Sequence, residues 1–204
     1  MIRIFIESRN RTTPEYRFVD TLLKSIGIDD VSYEIIPLNG KDSLHLAKNQ
    51  FQQNTAEGGK NLIVFDADSD ENHGGYKRRK EELESKLQEL KITAQLFLWP
   101  NDKEDGDFET MLENIAQKDL HQRFFDCFND YEACLGSEYI RPNRKGKLHT
   151  YISSMRLSNR QRRVLGSGEW LFEEESLWNL KSSYLSPIKD FFKFNFIDNP
   201  LSAD

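Results

Sequence analysis

The segment Asn61-Leu62-Ile63-Val64-Phe65 runs apolar, without the polar alternation of a half-exposed strand, and stops at Asp66-Ala67-Asp68. A run of this kind reads as a strand buried on both faces, the situation of a parallel sheet with helices on each side. The flanking pattern agrees. Ile2 to Ile6 predicts a first strand closed by Glu7. A helix begins near Pro14, carries Phe18, Leu22, Leu23 and Ile26 on one face, and stops near Gly27. Val31 to Ile36 predicts a second strand, and Ser43 to about Gln53 a short helix with Ser43 as its N-cap. Tyr76 to Leu90 follows as a long charged helix, and Thr93 to Trp99 as a fourth strand halted by Pro100-Asn101. Helices over about Asp107 to Ala116 and Asp119 to Cys134 extend the alternation. The expected fold class is α/β, a Rossmann-like three-layer sandwich with a mostly parallel central sheet.

From about Gly136 the pattern changes to basic loops, a helix near Lys147 to Met155, and a segment holding Trp170, Phe172, Trp178, Tyr184, Phe191, Phe192 and Phe196. The expected division is therefore an α/β core over residues 1–135 and a basic, aromatic-rich extension over 136–204 packed on it. So many rings need cover, and left exposed they would mark a partner surface. The 14 Phe, 7 Tyr and 3 Trp offset an apolar content of only 37% in 204 residues. No apolar run approaches the roughly 20 residues of a membrane span, and the first residues enter a strand directly, so a cytoplasmic protein with no membrane association is expected. Cys127 and Cys134 fall in one helix, about 10 Å apart along its axis, too far for a disulfide; half-buried free thiols are expected.

The net charge of −6 argues against binding nucleic acid by bulk attraction, but the charges are segregated. Acids concentrate at 66–71 and 102–107, bases at 77–80, 141–147 and 156–163. That suits a metal centre beside a phosphate track, although the run Lys77-Arg78-Arg79-Lys80 reads first as a solvated helix face. Strand alternation would project Asp66 and Asp68 to the same side, and Glu7 and Asp66 would meet at the carboxyl edge of the sheet. Two hard oxygen donors on one side suit Mg²⁺, which takes one or two protein carboxylates and completes its shell with water and phosphate. Position excludes other phosphate folds. A P-loop needs Gly where Ile35 stands and Ser or Thr where Asp42 stands. Haloacid-dehalogenase-like phosphatases carry DxD on the first strand, which here ends in a lone Glu.

Glu after the first strand and DxD after the third, Ile4-Phe5-Ile6-Glu7 and Ile63-Val64-Phe65-Asp66-Ala67-Asp68, resemble the Toprim domain of topoisomerases, bacterial primases and OLD-type nucleases. Leu98-Trp99-Pro100-Asn101, Gly106-Asp107-Phe108-Glu109, Lys145 with Lys147, and Leu185-Ser186-Pro187-Ile188 resemble small stand-alone Toprim-related proteins. Ser8 stands where Toprim proteins often have Gly. The resemblance implies a general acid or base at Glu7, Mg²⁺ or Mn²⁺ held by Asp66 and Asp68, and Glu109 as a further metal ligand. Arg141, Arg144, Lys145 and Lys147 are the candidate nucleic-acid contacts. Metal ions and one proton-handling carboxylate meet the needs of phosphodiester cleavage, which are charge neutralisation, an activated nucleophile and a stabilised leaving alkoxide.

The chain is too short for a complete topoisomerase or primase, so the implied activity is a metal-dependent nuclease on DNA or RNA. By analogy with relatives that work beside an ATPase, a separate ATPase partner is implied, since no ATPase motif is present. Two other classes remain open: a non-catalytic binding or regulatory protein on the same scaffold, and a small-molecule phosphohydrolase using the same carboxylates. Asp70, Asp105, Asp107 and Glu113 read as solvated acids, and His73 and His149 lack zinc spacing.

Overall fold

The structure is a computed structural model, which describes residues 1–69 and 74–197. Asp70 and His73 lie outside the described residues. The elements run β1 (Ile2–Glu7), α1 (Pro14–Ser25), β2 (Tyr33–Leu38), α2 (Leu44–Ala56), β3 (Lys60–Asp66), α3 (Tyr76–Leu90), β4 (Gln95–Trp99), α4 (Phe108–Ile115), α5 (Gln122–Cys134), α6 (Arg144–Ser153), α7 (Asn159–Gly166) and α8 (Ser186–Ile197). The four strands form one sheet in the order β2-β1-β3-β4, and every pair is parallel.

Period-2 alternation divides the strand residues between two cores. Ile2, Ile4, Ile6, Leu62, Val64, Phe97 and Trp99 face α1, α4, α6, α8 and the aromatic tail. Phe5, Ile63, Phe65 and Leu98 face α2 and α3, meeting Leu44, Phe51, Leu83 and Leu87. The α/β sandwich is thus the expected one, with a wholly parallel sheet. The aromatic tail does pack: Phe172 lies edge-on to Phe18, with ring centroids 5.2 Å apart. Trp178 is fully buried, its indole N–H donating to the Trp170 carbonyl at 2.8 Å. Residues of the extension therefore share one core with the sheet.

Several local expectations shift for identifiable reasons. Val31 lies outside β2 because the Asp29 carboxylate accepts from its N–H, at 3.4 Å, and closes a 3₁₀ turn over Asp30–Ser32. Ser43 precedes α2 but makes no side-chain cap; its hydroxyl donates instead to the Asn39 carbonyl at 2.8 Å. Helix α6 starts at Arg144, before Lys147, because Asn143 accepts from the Gly146 N–H at 2.8 Å. Helices α7 and α8 were not foreseen, although Ser158 and Gln161 form a capping box whose spacing is legible in the chain. Both cysteines lie in α5 as free thiols, and both are exposed rather than half-buried. Among the described residues no helix is long and apolar enough to cross a membrane.

Candidate functional site

The strand order fixes where a ligand can sit. From β1 the chain leaves toward β2 on one side, and from β3 it leaves toward β4 on the other, so their carboxyl ends flank a crevice. Such topological switch points are where open α/β sheets bind ligands. Glu7 ends β1 and Asp66 ends β3, with Ile6 and Val64 in register just below them. The two acids expected to meet do so here.

Helix α4 closes the crevice. Asp107 caps it, accepting from the Thr110 N–H at 2.7 Å, while Thr110 accepts from the Asp107 N–H at 3.3 Å. The next free N–H, that of Phe108, donates to Asp66 Oδ1 at 2.8 Å. The helix N-terminus is thereby docked on Asp66, and Glu109 in its first turn joins the cluster. Asp107 is a cap rather than a solvated acid. Asp105 likewise caps α3, accepting from the Tyr76 N–H at 2.7 Å.

Asp68 does not stand as strand alternation predicts. The strand ends at Asp66, and Asp68 has φ +61°, in the left-handed region, with a backbone bridge to Gly106. Its carboxylate is held by Arg79 of α3. Arg79 is buried, so the run Lys77 to Lys80 is not a uniformly solvated face. Gly74 permits this turn: a Cβ there would stand 2.3 Å from the Asp68 Cβ.

Sequence reasoning missed Glu15. It is buried in α1, near enough for the Asp66 charge to act on it, and accepts from the Trp99 indole N–H at 3.0 Å. A signal existed, because Glu15 occupies the apolar stripe of Phe18, Val19 and Leu22 at helical spacing.

Burial and mutual repulsion set the electrostatics. Burial pushes Asp66 well above the usual carboxylate range, and Glu7 and Glu109 push it further against the opposing Phe108 N–H. Burial does the same to Glu15, aided by Asp66 and opposed by the Trp99 hydrogen bond. Glu7 is raised by burial and then by Asp68, while the Asp66 backbone N–H, Arg79 and Lys41 act against the rise. Glu109 is raised by burial, with Lys145 opposing. Clustered acids of this kind make the crevice the candidate functional site.

Three of the four expected nucleic-acid contacts are engaged within the protein. Arg144 pairs with Glu113 at 3.0 Å and Asp107 at 3.4 Å, Lys147 with Glu113 at 3.1 Å, and Lys145 with Glu109 at 3.7 Å. Arg144 and Lys145 remain exposed beside the crevice, and Arg141 is exposed on the preceding loop. Glu113 is therefore an ion-pair partner rather than a solvated acid. His149 is exposed on α6.

The donor set suits a hard divalent cation: buried carboxylates at one sheet edge, raised by one another's charge, gain from a neutralising ion. As they stand, no three His, Cys, Asp or Glu side chains close on a common point among the described residues. For Asp68 the reason is visible in its pairing with Arg79. A cavity of about 690 Å³ lies elsewhere, lined by Lys24, Phe172, Trp178 and Lys181 among others, with none of the clustered carboxylates on its wall. The largest cavity and the groups with the most perturbed proton affinity therefore lie in different places. Comparison with protein-family models, curated proteins and solved structures gives no match to this chain.

Proposed function

We propose that the chain is a Toprim-related, metal-dependent phosphodiesterase that cleaves DNA or RNA in the cytoplasm. The observation that supports this reading is the gathering of Glu7, Asp66 and Glu109, with Asp68 beside them, at the switch point between β1 and β3. Asp66, Asp68 and Glu109 would hold Mg²⁺ or Mn²⁺, which when bound supplies Lewis-acid stabilisation of phosphate charge. Glu7, half-buried with its proton affinity raised, handles the proton of the nucleophile or leaving group. Arg141, Arg144, Lys145 and Lys147 would contact the phosphates of the nucleic acid, and a separate ATPase is the proposed partner.

A second reading has its own support. Asp66, Asp68 and Glu109 each already have a donor or cation within the protein, in Phe108, Arg79 and Lys145. That is the pattern of a scaffold that binds or regulates without turnover.

Plasmid and single-stranded DNA and RNA, incubated with Mg²⁺ or Mn²⁺, separate the two. Cleavage by the wild type that disappears in Glu7→Gln and in Asp66→Asn/Asp68→Asn is the expected result. Absence of cutting, or cutting that survives both substitutions, removes the support for catalysis at this site and leaves the binding role or a requirement for the ATPase partner.

A further inference from the structure

Arg79 carries the one buried side-chain nitrogen or oxygen among the described residues that has no hydrogen-bond partner. Its side chain is only 8% exposed. Nη2 donates to Asp68 Oδ2 and Nη1 to Glu82 Oε2, the latter at 3.0 Å. Nε is buried and has no hydrogen-bond acceptor. Leaving a buried N–H unpaired costs about 1–3 kcal/mol, so this atom is out of place unless something else takes it.

The geometry of the fork says what fits. Nε and Nη2 lie on one edge of the guanidinium and present two parallel N–H bonds, the arrangement that takes two oxygens of a carboxylate or a phosphate. Asp68 uses only the Nη2 half of that edge. The opposite corner is anchored, since Glu82 also accepts from Lys41 at 2.5 Å and lies 4.0 Å from Lys86. One end of Arg79 is therefore fixed to α3 and the other faces the acidic crevice, where Arg79 and Lys41 both act on Glu7. If Asp68 withdrew, Arg79 and Lys41 would share Glu82 and carry one positive charge in excess. Gly40 brings the Lys41 loop close, because a Cβ there would stand 3.1 Å from Glu7 Oε1.

We infer that Arg79 is an exchange point between Asp68 and a phosphate group of the substrate. Without substrate it holds Asp68; a phosphate that takes the Nε–Nη2 edge satisfies the orphaned N–H and releases Asp68 toward the divalent cation. Phosphate and cation then bind cooperatively, each strengthening the other by the same factor. This inference rests on the metal-dependent reading above and deepens it by naming the residue that receives the phosphate.

The test measures Mn²⁺ binding, by the electron paramagnetic resonance of the free ion, with and without methylphosphonate as a non-hydrolysable phosphate mimic. In the wild type, methylphosphonate is expected to tighten Mn²⁺ binding about tenfold. Arg79→Gln is expected to bind Mn²⁺ more tightly than the wild type in the absence of methylphosphonate, and to show no coupling. Arg79→Lys keeps the charge but lacks the fork, and serves if the glutamine variant does not fold; it too is expected to lose the coupling. Mn²⁺ binding that methylphosphonate leaves unchanged in the wild type, or coupling that persists in the variants, overturns the exchange while leaving the metal site intact. Failure of every protein to bind Mn²⁺ under either condition overturns the metal-dependent reading, and the exchange with it.

Discussion

The crevice has two flanks, and they neutralise its acids in opposite ways. On the α4–α6 flank Arg144 and Lys145, with side chains 42% and 59% exposed, pair directly with Asp107, Glu113 and Glu109 at the surface. On the α3 flank Arg79 is 8% exposed and fixed between Asp68 and Glu82. Exposed pairs are screened and contribute about 0–1 kcal/mol each. A buried charge that loses its partners costs about 3–5 kcal/mol. The first flank can therefore give up its pairs at little cost to stability, whereas on the second Arg79 can release Asp68 only as another anion takes its place.

The largest expected effect attacks that difference directly. Asp68→Ala/Glu82→Ala leaves the Arg79 guanidinium buried without a counter-ion, and urea unfolding should show a loss of about 3–5 kcal/mol. A loss below about 1 kcal/mol would erase the distinction between the flanks. Trp99→Phe comes next. It removes the donor to Glu15 while keeping most of the ring volume, and should cost about 1–3 kcal/mol by the same measurement.

Asp66→Asn should act in the other direction. The asparagine oxygen can still accept from the Phe108 N–H, and a repelled charge is removed. Folded Asp66 and Glu15 bind protons more tightly than their ordinary values of 3.8 and 4.5, so folding takes up protons. Their unfavourable contribution is absent below those values and grows as pH rises toward the folded pKa. At pH 7 the variant should therefore gain roughly 1 kcal/mol, or about 2–4 °C in Tm. The gain should vanish near pH 4, and a calorimetric series across that range checks it. The smallest effect belongs to the exposed flank. Lys145→Ala should change stability by less than about 1 kcal/mol, and by nothing measurable in high salt. If that flank meets nucleic acid, the same variant lowers the salt slope of binding by about one.

What could be read in advance follows the range of each interaction. Leu62 to Phe65 declared a doubly buried strand, and the alternation of strands and helices declared the α/β class, because both depend on local periodicity. Glu7 and Asp66 were legible for the same reason, as acids ending apolar runs. Asp68 was misplaced because alternation was carried past the end of β3, into a left-handed turn that the 204-residue sequence signals only through the nearby glycines. Glu15 was visible as an acid on an apolar stripe, but nothing local says that Trp99, 84 positions away, supplies its hydrogen bond.

The sequence by itself determined the element types up to α6, the covered sheet and the acids at its strand ends, since hydrophobic period and chain punctuation act over a few residues. Only the tertiary structure decided the order β2-β1-β3-β4, which makes the ends of β1 and β3 a crevice rather than two separate edges. It also decided that Arg79 would be buried against Asp68 and that Arg144, Lys145 and Lys147 would face acids of α4 and its cap. Such pairings join residues far apart in the chain, and they follow from which helix covers which face and how deeply each charge is withdrawn from water.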